Sequence, residues 1–531
     1  MNCRKKIFVF IFSFFLIVSF TVNCRTRNSA IVTIALDSKF DSLDFLSAST
    51  VSANAERIRS LIFNTLVRKN EKFEYIGELA KDIKDLDGGS TISFTLQDNV
   101  KFHNGAPLRA ADVKYTFEKM LAAAGSAKAS SFFETVGKEK KPHILSIEAP
   151  DDKTVNFKLS RPALKNQLLS NMVAIPIIPE GTFESQKDTP VGTGAFKFVK
   201  YDTTNNIVDL NANPDYWEGA PKIQQLRVKV IADQNAVQAE LKSGQLDIAP
   251  MMINLPPDTV ESLKADPNLK VYQFNSANVQ IITFQAAAPP IDNVKVRQAI
   301  AYGIDREGVI KDLLRGQGKL AHSILPEESW AFSTGTVYQH DEAKAKQLLD
   351  DAGFKDPDGD GDKMRFDKPI VLSISAGNSA LRQYSEVIQN QLKQIGIPVE
   401  ISTVEFNTLL EQWRLGQFQM TINRWVGGNQ DPIFYKDLFL STESTDVKPT
   451  ARNRSRYKNE TLDKILERAV NEPDKEAAKQ LYVQAQDIIS RDLPIFPLWY
   501  PANVVVANKR IGNIQVDASG DWNFVRNLTV N

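Results

Sequence analysis

Residues 381–403 read LRQYSEVIQNQLKQIGIPVEIST, and this one stretch sets the fold class. Leu381, Tyr384, Ile388, Leu392 and Ile395 recur at the three- and four-residue spacing that lines one face of a helix. Gly396 stands where a C-terminal cap belongs, since glycine enters the left-handed region without steric penalty. Pro398 then leads into Val399, Ile401 and Thr403, which alternate as a half-buried strand requires. A helix feeding a strand predicts a mixed α/β architecture.

The same signature recurs outward from there. A short helix is expected over residues 236–241, stopped by Gly244 before a strand at Leu246 and Ile248. Periodicity over residues 294–314 predicts one helix carrying Val296, Ile300, Ile304, Val309, Ile310 and Leu313 on one face and ending at Gly316. Residues 461–470 and 475–489 read as a helical pair broken by Pro473. The first part of the chain differs. Residues 91–96 and 154–159 alternate strictly, as antiparallel strands with one wet face do, and between them lie an Asn-Gly turn at Asn104-Gly105 and a predicted helix over 110–121. That segment reads as a compact α+β unit. No fixed-period repeat or low-complexity tract interrupts the chain.

Arg4, Lys5 and Lys6 followed by the apolar run 7–22 have the charge order of a secretory leader, so residues 1–23 are read as a signal peptide. Cys24 closes that run, as the lipidated residue of bacterial lipoproteins does, and the chain beyond it is expected on the periplasmic or cell-surface side, tethered by a lipid; cleavage nearby without a lipid and an uncleaved anchor are the alternatives. Cys3 and Cys24 are the only cysteines, so the exported body must be held by packing without disulfides. Lys plus Arg and Asp plus Glu both number 64, which leaves no bulk charge for nucleic acid. No later apolar stretch reaches bilayer length, which excludes a channel or permease.

Candidate chemistry is sparse. The four histidines, His103, His143, His322 and His340, accompany neither a G-x-S-x-G elbow nor a paired zinc spacing, so no enzyme is expected. Residues 191–196, VGTGAF, lack the lysine of a phosphate loop and read as a tight turn between domains. Asp356, Asp358, Asp360 and Asp362, with Asp367 further on, alternate around glycine as a calcium loop does, and equally as an acidic turn does; any calcium there would be structural, and no other cofactor is expected. Phe406, Trp413 and Trp425 form an aromatic-rich run that serves as core or as a ligand platform. Trp425 opens the polar, glycine-rich loop Val426-Gly427-Gly428-Asn429-Gln430-Asp431-Pro432, where backbone can approach a ligand closely.

Several stretches in order complete the reading: residues 100–108 (VKFHNGAPL) with Ala111-Asp112-Val113, residues 190–198 (PVGTGAFKF), Asn213-Pro214-Asp215-Tyr216-Trp217, residues 294–300 (VKVRQAI) with Ile304-Asp305-Arg306, and Pro494-Ile495-Phe496-Pro497-Leu498. Together they resemble family 5 of the bacterial extracellular solute-binding proteins, the oligopeptide, dipeptide and nickel binders. The resemblance implies a two-lobed, periplasmic-binding-protein-like α/β fold of the large three-domain type, with the ligand cleft between lobes. Domain I would comprise residues 24–63, 186–276 and 501–531, with domain II (64–185) inserted into it and domain III covering 277–500. It further implies a monomeric receptor that delivers a small peptide or similar solute to ABC permease subunits driven by a cytoplasmic ATPase. A sugar or other non-peptide ligand, or reuse of the fold as an adhesin or chaperone, are the alternatives.

The family's pocket tryptophan corresponds to Trp425, and the aspartate expected three residues later, the anchor for a peptide's amino group, is here Gly428. Family arginine positions hold Trp413 and Ile422, while a second pocket aromatic is kept as Phe406. Stacking is therefore preserved and charge reading weakened, with Asp431 as a replacement anchor and Arg424 as a positive group in the same loop or a solvated surface charge.

Overall fold

The structure, a computed structural model, describes residues 30–531 except 41, 51, 137–138, 254, 358–363, 377–378 and 426–430, and not the side chains of 135, 136 and 379. The leader and Cys24 lie outside the described residues, as do Asp358, Asp360, Asp362, Gly427 and Gly428.

A seven-stranded sheet runs in the order Phe196–Asp202, Ile207–Ala212, Gln225–Val230, Ile31–Leu36, Ile248–Ala249, Asn503–Asn508, Leu269–Phe274. Ile31–Leu36 pairs in parallel with both its neighbours and is almost wholly buried, which is why it reads as a continuous apolar run. One ion pair stitches the three chain segments of this sheet. The fully buried Asp247 accepts from the Thr33 amide at 2.9 Å and from Nε and Nη2 of Arg510 at 2.8 Å each, while Arg510 also donates to the Ile31 carbonyl at 2.7 Å.

The expected antiparallel unit is a four-stranded sheet in the order Ala80–Leu86, Thr91–Leu96, Thr154–Leu159, Ile144–Glu148. The alternating Ile92, Phe94, Leu96 and Val155, Phe157, Leu159 form its buried face, and Phe117 from the helix Ala110–Ala122 meets Phe157 edge-on at 4.9 Å. Its core is continuous with one face of the seven-stranded sheet.

A second body forms around a six-stranded sheet in the order Gly318–Leu320, Ile495–Pro501, Val279–Phe284, Met420–Trp425, Ile370–Ser375, Val399–Val404. Ile282 and Phe284 point into one apolar cluster with the helices Val294–Gly303 and Ser379–Gln394; Val279 and Ile281 point into another with Tyr435–Phe439, Glu460–Asn471 and Lys475–Asp492. Gly396 takes φ 85°, and the Ile397 amide returns to the Leu392 carbonyl at 3.0 Å, so the helix ends as its sequence predicts.

The single helix expected over 294–314 is two. Val294–Gly303 stops at an extended Ile304, and Asp305 caps a new turn by accepting from the Gly308 amide at 2.9 Å. Arg306 fixes the break: its guanidinium donates to the carbonyls of Ala321, Pro497 and Tyr338 at 2.6–2.8 Å and lies over Phe496.

The chain passes between the two bodies after Phe274 and after Pro501, and Asn503 Nδ2 bonds the Asn275 carbonyl at 2.9 Å to tie the crossings together. Glu74 and Lys475 pair from opposite bodies. No helix among the described residues is long and apolar enough to cross a membrane.

Candidate functional site

The stretches that carry the family resemblance turn out to be scaffold. Gly192 and Gly194 let the 191–196 loop lie against the end of the helix Ala53–Ile62, where an added Cβ would come within 2.3 Å of the Ile62 oxygen or 2.4 Å of its carbonyl carbon. His103 bridges that loop: Nε2 donates to the Gly194 carbonyl at 3.0 Å and Nδ1 accepts from the Gly192 amide at 3.4 Å, which selects the neutral tautomer protonated on Nε2. Burial pulls its pKa down to about 4. Asn213 donates to the same Gly194 carbonyl at 3.1 Å, and Trp217 Nε1 donates to Asn64 at 3.1 Å. Arg297 is likewise spent on the carbonyls of Ile291, Asp292 and Asp492.

The candidate site lies in the second body, on the Trp425 end of the strand Met420–Trp425. A cavity of about 570 Å³ opens there, lined among others by Phe406, Trp413, Arg424, Trp425, Arg452 and Arg454. Phe406 begins the helix Phe406–Leu415 and is 51% exposed, whereas Trp413, two turns on, is only 4% exposed and packs with Leu409 and Phe418. Trp425 is half-buried against the cluster of the 460–492 helices. Gln280, Tyr384 and Arg424 also line an adjoining space of about 220 Å³ whose far wall comes from residues 249–251, 255–257, 502, 504 and 506 of the first body. The cavity therefore runs from the second body into the space between the two.

Arg424 is exposed where it faces the cavity, and the protein around it lowers its pKa by desolvation, opposed by the nearby Tyr384. The guanidinium of Arg454 lies 4.8 Å over the Trp413 ring, and burial followed by the neighbouring Arg452 lowers its pKa too. Thus the position where the resemblance expected an arginine holds an aromatic that carries an arginine from elsewhere in the chain. Arg452 and Arg454 went unnoticed in the sequence. Their signal is the pair of arginines two residues apart in Ala451-Arg452-Asn453-Arg454, which a tight turn, closed by the Arg454 amide on the Arg452 carbonyl at 2.8 Å, brings to the cavity together.

Asp431 is not brought to the cavity. Its carboxylate caps the turn Pro432–Phe434 by accepting from the Ile433 amide at 2.8 Å, is 5% exposed, and has its pKa raised by burial. Lys69 and Tyr75 of the first body face it, so it stands at the contact between bodies. Of the acidic loop, Asp356 and Asp367 are described, and no group of three or more His, Cys, Asp or Glu among the described residues is arranged to hold a metal.

Residues 74–446 match the family described as bacterial extracellular solute-binding proteins, family 5 Middle. The oligopeptide-binding protein AppA of Bacillus subtilis (strain 168) is 30% identical over 480 residues, which cover 86% of this chain and 83% of that protein. Heme-binding protein A of Haemophilus influenzae is 28% identical over 475 residues, covering 85% and 83%. In fold, the chain is similar to NikA from Brucella suis in complex with Fe(III)-EDTA, with a TM-score of 0.81 at 21% identity over 94% of this chain and all of that one. The two bodies are the lobes of that fold, and the chain belongs to the bacterial extracellular solute-binding proteins, family 5.

Proposed function

We propose that this protein is the extracytoplasmic binding lipoprotein of an ABC importer, which takes up a peptide between its lobes and delivers it to a membrane permease. The observation that carries the reading is the aromatic cavity of about 570 Å³, which continues through Arg424, Gln280 and Tyr384 into the space between lobes. A volume of that size encloses a ligand of drug or short-peptide dimensions. The flat faces of Phe406 and Trp425 stack apolar side chains with little loss of rotamer freedom.

Residues 24–63, 186–276 and 501–531 make domain I in this account, 64–185 domain II and 277–500 domain III, with the crossings after Phe274 and Pro501 serving as the hinge. Ligand held between lobes adds contacts that only the closed form offers, so binding shifts the population toward closure. The closed pair of lobes is what the permease recognises, and no bond is broken. Cys24 carries the lipid that keeps the monomeric receptor at the membrane. Asp431, faced by Lys69 and Tyr75, acts in closure.

The test is native mass spectrometry of the chain from residue 25 onward, purified gently, with fragmentation of whatever leaves on activation. Peptide masses support the proposal. A single non-peptide mass replaces the peptide while keeping the receptor, and a bare protein that no solute pool loads overturns it.

A further inference from the structure

We infer that the cavity selects an anionic ligand, one bearing a carboxylate or comparable oxyanion on an apolar body, held by Arg424, Arg452 and Arg454; this rests on the receptor reading above. The three arginines line the cavity together, and its described lining includes no Asp or Glu. None of the three guanidinium groups forms a hydrogen bond or ion pair with a described residue. The arginines of the interior are engaged by the protein itself: Arg297 and Arg306 bind backbone carbonyls, and Arg510 binds Asp247.

Gathering three cations on one cavity wall is unfavourable unless an opposite charge compensates them, and that compensation is what an incoming anion supplies. Arg454 is already oriented by the Trp413 face, and its proximity to Arg452 sets two like charges side by side, a repulsion that an anion between them relieves. Nearby acids do not fill the role. Asp431 is engaged by the Ile433 amide and faced by Lys69, while Asp437 feels Lys436 more strongly than Arg452, and burial raises its pKa. In sequence, residues 426–430 add no charge. Phe406 and Trp425 line the same cavity and supply the apolar platform beside the cations.

The probes are the tripeptides Glu-Phe-Glu, Gln-Phe-Gln and Lys-Phe-Lys, with phenyl phosphate to separate a phosphate from a carboxylate preference, titrated calorimetrically into the mature chain at low and high salt. Affinity is expected to fall from the acidic to the neutral to the basic peptide. Arg424→Gln, Arg452→Gln and Arg454→Gln should each weaken the acidic peptide roughly 10- to 100-fold and narrow its lead over the neutral one. Unchanged melting temperatures of the variants exclude misfolding as the cause. Equal binding of the three tripeptides, or a lead untouched by all three substitutions, overturns the charge inference and leaves the receptor standing. No binding by any probe, together with a bare native mass spectrum, removes the receptor reading and the inference with it.

Discussion

Phe406→Ala should weaken ligand binding and leave the fold intact. The ring opens the helix Phe406–Leu415, but the helix start is capped by Glu405, whose carboxylate accepts from the Asn407 and Thr408 amides, so folding does not depend on the ring. Phe406 is 51% exposed and lines the cavity, so about half of a side chain that buries ~200 Å² when fully covered is available to a ligand. Covering ~100 Å² at about 25 cal/mol per Å² contributes roughly 2.5 kcal/mol, which sets the upper end of the effect. A 10- to 60-fold rise in Kd, about 1.4 to 2.5 kcal/mol, is therefore expected on titration with the ligand recovered from the native protein. A thermal melt should move by less than the scatter of repeats. An unchanged Kd with an unchanged melt would falsify the placement of the ligand in this cavity.

Trp425→Ala should weaken binding by about 1 to 3 kcal/mol in the same titration, with a larger drop in melting temperature than Phe406→Ala because the indole also packs on the helical cluster. Arg510→Met leaves Asp247 charged and buried with its main partner gone, and should lower unfolding stability by about 3–5 kcal/mol in a urea titration; Asp247→Leu in the same chain should restore much of it. His103 is held neutral in the fold, with a pKa of about 4 against about 6.5 when unfolded, so the unfolded chain binds the extra proton. Its share of stability is complete above about pH 6.5 and declines as pH falls toward 4, by up to ~3 kcal/mol, and urea midpoints of the His103→Gln variant should show a flatter slope across that window. Gly194→Ala drives a methyl to 2.4 Å from the Ile62 carbonyl carbon, an overpacking that should cost at least ~1–3 kcal/mol by thermal melt.

What the sequence yielded follows from where the governing contacts lie. Residues 91–96, 154–159 and 381–403 were legible because burial on one face writes its period directly into the chain. The break at Ile304 was not, since Ile304 fits the apolar stripe while the cause, Arg306 reaching carbonyls at 321, 338 and 497, spans distant sequence. The same division runs through the site. Phe406, Trp413, Arg424 and Trp425 sit within one short run and line one cavity. Arg452 and Arg454 enter from a separate segment, so the charge apparently lost at positions 413 and 422 returned only once the chain was folded. The partners of Asp431 are its own turn and residues of the opposite lobe, and the second of these no local pattern in the chain announces.

The most direct test of the receptor account is a crystal structure of the mature protein with the ligand that accompanies it from the cell. The account predicts electron density for that ligand against Phe406 and Trp425, closed over by the first lobe. Ligand bound outside this cavity, or lobes that stay apart around a loaded site, would contradict it.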